Sequence, residues 1–281
     1  MGGSGCIEKD IGKSIRATYI IPHMEKLNIV KIGGNIVENE TALSAFTNVF
    51  ANLKGKKILV HGGGKIASKL ASDLGIEAKM VNGRRITDLE TLKIVTMVYA
   101  GLTNKSIVAL LQANHCDAIG LSGADGNTIR TIKRPVKEID YGFAGDMTPT
   151  SIHNKRIQSL LELGLCPVFS AITHNGEGQL LNTNADTIAS ALAVGLASNY
   201  DISLIYCFEK RGVLKDIEDE GSVITQINRT HYSMLKEQGI IADGMIPKLD
   251  NAFDAISKGV KKVIIKHAND LTDEQAGTTI F

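Results

Sequence analysis

The chain has 281 residues and a formal net charge of +1, with hydrophobic residues at 43% and charged residues at 22%. These values are ordinary for a globular protein with a large core. A charge this close to neutral removes the bulk electrostatic argument for a nucleic-acid partner. No apolar run approaches the roughly 18 to 20 residues of a membrane span, so no membrane partner is expected either.

The chain contains four cysteines without close pairing: Cys6, Cys116, Cys166 and Cys207. Because three of them lie in apolar runs, buried reduced thiols are expected rather than a metal site or a disulfide framework, and a cytoplasmic location follows. Residues 1–23 are interpreted as a leader or tag that ends just before Met24. A natural arm is the alternative.

The first quarter of the chain alternates between strand and helix patterns. The apolar run at 27–32 predicts a strand that ends at two glycines, and a helical pattern follows at 42–53. A second strand, at 56–60, ends just before the triple glycine at 62–64, and another helix begins there. Repeated strand, glycine turn and helix is typical of a parallel sheet covered by helices.

The remainder continues this pattern. Predicted helices lie within 88–114 and at 154–163, 187–198 and 245–258, and predicted strands at 116–121, 128–133, 167–172, 202–208, 263–265 and 278–280. No low-complexity linker interrupts residues 24–281, so we expect one domain built on one continuous sheet. We divide it into an N-terminal lobe of about 24–175 and a C-terminal lobe of about 176–281.

The triple glycine predicts an anion site. Glycines allow close backbone approach, and the helix start after them offers unpaired N–H groups, so the expected ligand is a phosphate or a carboxylate. The Walker-type loop is absent because Leu59 and Ile66 break its pattern. The turn also fits the loose Gly-x-Gly-x-x-Ala dinucleotide pattern, which alone supports a nicotinamide-dependent oxidoreductase as an alternative.

Polar side chains stand where predicted strands end. Lys31 lies inside a predicted buried strand, where desolvating its ammonium is costly unless it meets an anion; an edge position that reaches solvent is the alternative. Asn182, Asn184 and Asp186 alternate at a strand-to-helix junction, and helix capping explains only one of them. Arg85 follows a turn, where it could clamp a carboxylate or lie in solvent.

These features together favour phosphoryl transfer. Stabilising a transferring phosphoryl group requires fixed cations and N–H groups more than covalent chemistry, and Lys31, Lys248 and the two glycine turns could supply both. A carboxylate acceptor, with a reference pKa of about 4.3, would already be ionised and would need no general base. His61 is accordingly expected to be a hydrogen-bonded structural histidine rather than a catalytic base.

Five ordered motifs closely resemble the acetylglutamate kinases of arginine biosynthesis, within the amino-acid kinase family, from about Leu27 to the C-terminus. They are Val30-Lys31-Ile32-Gly33-Gly34, Val60-His61-Gly62-Gly63-Gly64, Asn82-Gly83-Arg84-Arg85-Ile86-Thr87, Asn182-Thr183-Asn184-Ala185-Asp186 and Asp243-Gly244-Met245-Ile246-Pro247-Lys248. The resemblance implies an α/β fold: an open αβα sandwich around a mainly parallel central sheet, with the acyl-amino acid and the dimer contact in the N-terminal lobe and the nucleotide in the C-terminal lobe.

The resemblance also implies ATP-dependent phosphorylation of the side-chain carboxylate of N-acetyl-L-glutamate. Lys31 and Lys248 would stabilise the transferring phosphoryl group, and Asp186 would orient both lysines. Phosphate binding is implied for Gly33 and Gly34, and substrate binding for Gly63, Gly64, Arg85, Asn182 and Asn184. Mg²⁺ would arrive chiefly on the nucleotide rather than at a protein metal site.

The sequence departs from the family after the strand that ends at Phe208. Glu209-Lys210-Arg211-Gly212 stands in place of an Asp-Val-x-Gly turn and is one residue longer. The N-terminal helix of arginine-inhibited, hexameric members is not evident, so a homodimer is expected. Two functional alternatives remain on this scaffold: a kinase for N-succinylglutamate or another acyl-amino acid, and a non-catalytic effector-binding regulator.

Overall fold

The structure, a computed structural model, describes Met1 and residues 24–81, 83–241 and 245–281. The interpretation of residues 1–23 as a leader therefore lies almost wholly outside the described residues. The same is true of Asn82 in the predicted turn and of Asp243-Gly244 in the last motif.

Strands follow one another with helices between most of them. In chain order they are β1 Lys26–Ile32, β2 Lys56–His61, β3 Met80–Val81, β4 Arg84–Arg85, β5 Ala118–Leu121, β6 Ile132–Lys133, β7 Gly145–Asp146, β8 Cys166–Phe169, β9 Ile172–His174, β10 Leu180–Asn182, β11 Asp201–Phe208, β12 Gln226–Ile227, β13 Lys262–His267 and β14 Thr278–Ile280. Eight of these form one sheet in the order β12-β14-β13-β11-β1-β2-β8-β5. Its pairs are parallel except β13 with β14.

The helices cover both faces of this sheet. They are α1 Gly34–Glu38, α2 Glu40–Ala51, α3 Gly64–Asp73, α4 Leu89–Thr96, α5 Asn104–Ala113, α6 Asn154–Glu162, α7 Ala185–Leu196, α8 Arg229–Glu237 and α9 Ile246–Ser257. A π-helical segment, Met97–Thr103, joins α4 to α5 without a break.

The central strand β1 explains why both faces need cover. Leu27 and Ile29 point into one buried hydrophobic cluster, whereas Val30 and Ile32 point into another on the opposite face. Each of these four side chains is fully buried. A parallel strand buried on both faces reads as a nearly continuous apolar run, and this one is interrupted near its end by Lys31.

The fold confirms the sequence-based expectation of helices around a mainly parallel sheet. Three local differences stand out. The predicted strand at 128–133 is regular only at Ile132–Lys133, the two predicted helices within 88–114 are one continuous helical unit, and β12 with α8 was not predicted.

The unit Leu89–Ala113 bears on the membrane question. Its 25 residues have a mean hydropathy of 1.5 in their most apolar window, enough by length and composition to cross a membrane. In the fold, 44% of that window is buried, and the helix packs against α2, α3 and β5. Polar residues such as Lys93 and Asn104 divide the unit in the sequence, so it contains no uninterrupted apolar run of this length.

Candidate active site

Three strand ends meet beside the first glycine turn. In the register of the sheet, Ile32 of β1 lies opposite His61 of β2 and opposite Cys207 of β11. Gly33 continues this contact, since its N–H donates to the Cys207 carbonyl at 3.2 Å. The N–H group of Gly33 is therefore already hydrogen-bonded at the carboxyl ends of these central strands. Gly34, the first residue of α1, leaves the sheet beside it.

Lys31 forms an ion pair near the carboxyl end of β1. Its Nζ lies 2.8 Å from Asp186 Oδ1, and the two side chains are 11% and 27% exposed. No described group donates a well-aligned hydrogen bond to that buried carboxylate oxygen, so the contact is chiefly electrostatic. The edge-position alternative for Lys31 is wrong, because β1 is a central strand whose lysine meets a carboxylate.

Asp186 owes its position to the start of α7. Asn184 caps this helix by accepting a hydrogen bond from the Thr187 N–H at 3.0 Å, which places Asp186 in the first turn. A carboxylate is favoured there by the helix dipole. The cap at Asn184 thus sets where α7 begins, and Asp186 in its first turn contacts Lys31.

Lys248 approaches the same place from α9. Its Nζ lies 3.7 Å from the centre of the Phe208 ring, and Lys31 Nζ lies 5.5 Å from the centre of the same ring. Burial lowers the pKa of Lys248, Asp186 and Glu209 raise it, and the positive charge of Lys31 lowers it further. Two ammonium groups therefore stand around one aromatic ring with Asp186 near both.

The second glycine turn packs closely against the π-helical segment. A Cβ on Gly63 would lie 2.9 Å from Tyr99 Cδ1 and 3.3 Å from Thr103 Oγ1, and its φ is +157°. A side chain at this position would force the neighbours to move. No side chain caps α3, which begins at Gly64, so its first N–H groups have no side-chain acceptor among the described residues, and Gly64 itself lines the cleft described below.

Arg85 contacts the same turn. Its Nη2 donates to the Gly64 carbonyl at 2.8 Å and to Ser68 Oγ at 2.6 Å. The residue is 9% exposed and interacts with the Tyr99 hydroxyl, whose pKa its charge lowers against the effect of burial. Its buried Nη1 makes no well-aligned hydrogen bond among the described residues. A buried guanidinium nitrogen without a partner is costly, so it marks a place for a ligand oxygen. The solvated-arginine alternative is wrong.

Asn182 stands across from Arg85 at the end of β10. Its Nδ2 donates to Thr87 Oγ1 at 3.0 Å, and its backbone N–H donates to the Phe143 carbonyl. The side chain is held by these contacts at the wall of the cleft.

A cleft of about 230 Å³ collects these groups. The sequence-predicted site residues that line it are Lys31, Gly63, Gly64, Arg85, Asn182, Asn184 and Asp186. Lys248, Gly33 and Gly34 are not among its lining residues. Lys248 nevertheless lies close enough to Lys31 and Asp186 of the cleft for their charges to shift its pKa.

Sequence reasoning assigned no role to several lining residues, among them Tyr99, Arg134 and Tyr141. Tyr99 comes from the middle of a helical pattern, where an aromatic residue is typical of a core. Arg134 pairs with Asp146, its Nε donating at 2.9 Å. The signal that could have found this pair was the spacing of an isolated arginine and aspartate within one loop.

The fold and this cleft define a class of protein. The amino acid kinase family matches residues 26–267, and the chain belongs to this family. The N-acetylglutamate synthase of Neisseria gonorrhoeae shares the fold with a TM-score of 0.75, at 19% identity over 92% of this chain and 59% of that one.

Closer relatives within the family are acetylglutamate kinases. The enzyme of Cytophaga hutchinsonii is 57% identical over 251 residues, which cover 89% of this chain and 94% of that protein. The enzyme of Bacteroides thetaiotaomicron is 53% identical over 91% of this chain and 98% of its own length. The likeness therefore extends over nearly the whole of both relatives.

Proposed function

We propose that the chain transfers the terminal phosphoryl group of ATP to the side-chain carboxylate of N-acetyl-L-glutamate, as a step of arginine biosynthesis. The names of its relatives support the reaction. The observation that carries the proposal is the convergence of Lys31, Lys248 and Asp186 beside a cleft that is also lined by the buried Arg85. In this proposal the two lysines stabilise the phosphoryl group in transfer, and the guanidinium of Arg85 binds a carboxylate of the acceptor.

The chemistry requires little more than position and charge. The acceptor carboxylate is ionised near neutral pH and attacks the γ-phosphorus, and ADP leaves. Lys31 and Lys248 offset the negative charge on the transferring oxygens, and Asp186 holds the lysines in place. The N–H groups of Gly34, Gly63 and Gly64 would bind phosphate or acceptor oxygens, and Arg85, Asn182 and Asn184 would hold the rest of the acceptor.

Mg²⁺ is proposed to arrive on the nucleotide. The described residues include no group of three His, Cys, Asp or Glu side chains that could hold a metal ion, and Mg²⁺ prefers phosphate and water oxygens.

The experiment that tests the proposal measures ADP release with N-acetylglutamate and N-succinylglutamate side by side. Hydroxylamine traps the acyl phosphate as a hydroxamate, which separates transfer from plain ATP hydrolysis. Hydroxamate with N-acetylglutamate supports the proposal. ATP binding without hydroxamate from either acid would overturn it and favour a non-catalytic effector-binding regulator. The presence of Lys31, Asp186 and Lys248 argues against that alternative.

A specific observation keeps the succinyl acceptor as a second candidate. A larger cavity of about 850 Å³ adjoins the cleft and shares Arg84, Arg134 and Tyr141 with it. Lys137 also lines this cavity. Glu138 and Asp146 line it too, and Asp146 is paired with Arg134. Arg84 is exposed and has no ion pair among the described residues, so it is the cation that a second carboxylate on the acyl group would meet there.

We further propose a homodimer that forms through the helical unit Leu89–Ala113. Leu89, Met97 and Leu102 are 51%, 55% and 62% exposed. Met97 and Leu102 are five residues apart in the π-helical segment, a little more than one turn, so they lie near the same face. Burying these side chains against a second copy would remove apolar surface from water.

A cytoplasmic location stays a proposal, supported by three buried free cysteines.

A further inference from the structure

His61 is fully buried at the end of β2, directly before the triple glycine. Its Nδ1 lies 2.7 Å from the Gly62 carbonyl oxygen, and its Nε2 lies 3.0 Å from Asn104 Nδ2. A carbonyl oxygen only accepts and an amide nitrogen only donates, so these partners fix the tautomer. Nδ1 carries the proton and donates to Gly62, and Nε2 accepts from Asn104.

The imidazole is held neutral in this arrangement. Burial, together with the positive charge of Lys105, lowers the pKa of His61 to about 4, although its bond to Gly62 acts in the opposite direction. Asn104 is itself buried and also donates to the Val168 carbonyl at 2.9 Å. The ring is therefore clamped between the glycine turn and the start of α5, with no role for it as a base near neutral pH.

The bond to Gly62 completes a pattern in the turn. The Gly62 carbonyl accepts from His61, the Gly63 carbonyl accepts from the Ala67 N–H at 3.0 Å, and the Gly64 carbonyl accepts from Arg85 at 2.8 Å. All three carbonyl oxygens are thus tied back into the protein. The N–H groups of Gly63 and Gly64 have no acceptor among the described residues, and all three glycines line the cleft.

We propose that His61 is a positioning residue: by binding the Gly62 carbonyl it fixes the first peptide of the turn so that the N–H groups after it face the anion in the cleft. This inference rests on the proposed function, because it assigns His61 to the acceptor and phosphate side of that site. A preorganised pair of donors stabilises developing negative charge without reorganisation at the moment of transfer. A loosened turn would lose that advantage while the fold persists.

Two substitutions separate the bonds of the imidazole. In His61→Asn the amide nitrogen stands near the position of Nδ1, so the donor to Gly62 is kept and the acceptor for Asn104 is lost. In His61→Gln the amide oxygen stands near the position of Nε2, so the acceptor is kept and the donor is lost. Both replace a buried ring, which makes each the matched stability control for the other.

The proposal predicts that kcat/KM for the acceptor falls by about 10- to 100-fold in His61→Gln but only about threefold in His61→Asn, with melting temperatures lowered alike. KM for the acceptor should rise and kcat should fall together in the Gln variant, since the donors serve both ground state and transition state. Equal losses in both variants, or activities that follow the folded fraction alone, would overturn the proposal.

A second measurement does not depend on turnover. Hydrogen exchange of the Ala67 N–H, which donates to the Gly63 carbonyl, should be faster in His61→Gln than in His61→Asn, and unchanged exchange in the Gln variant would count against His61. Wild-type protein that phosphorylates neither acid would overturn the proposed function instead. The exchange arm would still decide whether His61 holds the turn.

Discussion

Replacing Lys31 with methionine tests the centre of the proposed mechanism. The substitution removes the ammonium and keeps a long apolar stem in the buried strand. The lysine pairs with Asp186 at 2.8 Å, and at an effective dielectric constant of about 20 two unit charges at this distance attract by about 6 kcal/mol. Most of that attraction offsets the desolvation of the two groups.

The expected stability loss is therefore small. Asp186 keeps 27% of its side chain exposed and still interacts with the charge of Lys248, so the free energy of unfolding should fall by only about 1 to 2 kcal/mol, less than for a fully buried pair that loses one partner. For a chain of this size that corresponds to about 2 to 6 °C in melting temperature. Turnover should instead fall by about 100- to 1,000-fold, because a fixed cation beside the developing charge is lost.

The assay is hydroxamate formation with saturating ATP and acceptor, beside thermal unfolding of the same preparation. Lys26→Met is the matched control, since Lys26 is exposed at the start of the same strand and should leave both quantities unchanged. Folded Lys31→Met protein that turns over within tenfold of wild type would refute the role assigned to Lys31.

Other predictions follow from the same geometry. Burial holds the pKa of Lys248 below its ordinary value of 10.5, so turnover, which needs the cation, should fall along a basic limb below pH 10.5, and a rate that stays flat to that pH would contradict this. Arg85→Lys should raise KM for the acceptor by about tenfold or more and leave KM for ATP unchanged. One ammonium group cannot replace both Nη1, which is free to bind the acceptor, and Nη2, which donates to the Gly64 carbonyl. Equal rises in both KM values in steady-state kinetics would count against this role of Arg85. Leu102→Lys should convert a dimer to a monomer in light scattering, and a dimer that persists would place the interface elsewhere.

The sequence carried the architecture because strands, glycines and helices alternate with clear periods. Lys31 was identifiable because an ammonium in an apolar strand needs an anion, and that anion is Asp186. The three polar residues at the β10 to α7 junction were also informative: Asn184 caps, Asp186 faces the lysine, and Asn182 lines the cleft. In each case a local rule left a residue unexplained, and the cleft explains it.

What the sequence could not provide depends on long-range packing. Tyr99 contacts the glycine turn from within a π-helical segment, and no residue type in the sequence indicates such a segment. Helix α8 was missed because its apolar face is carried by few residues, chiefly Tyr232 and Leu235, within a polar stretch. Arg85 was ambiguous in sequence, since only the fold shows that its guanidinium is buried and lacks a partner for one nitrogen.

The ring of Phe208 also offers a way to observe the site directly. The chain contains no tryptophan, so Phe208→Trp would introduce a single indole at the point that both ammonium groups approach. Indole emission responds to a nearby cation, which interacts with the face of the ring. Anything that draws Lys31 or Lys248 away from that ring would then change one optical signal, and the arrival of a phosphate could be followed in real time without any label.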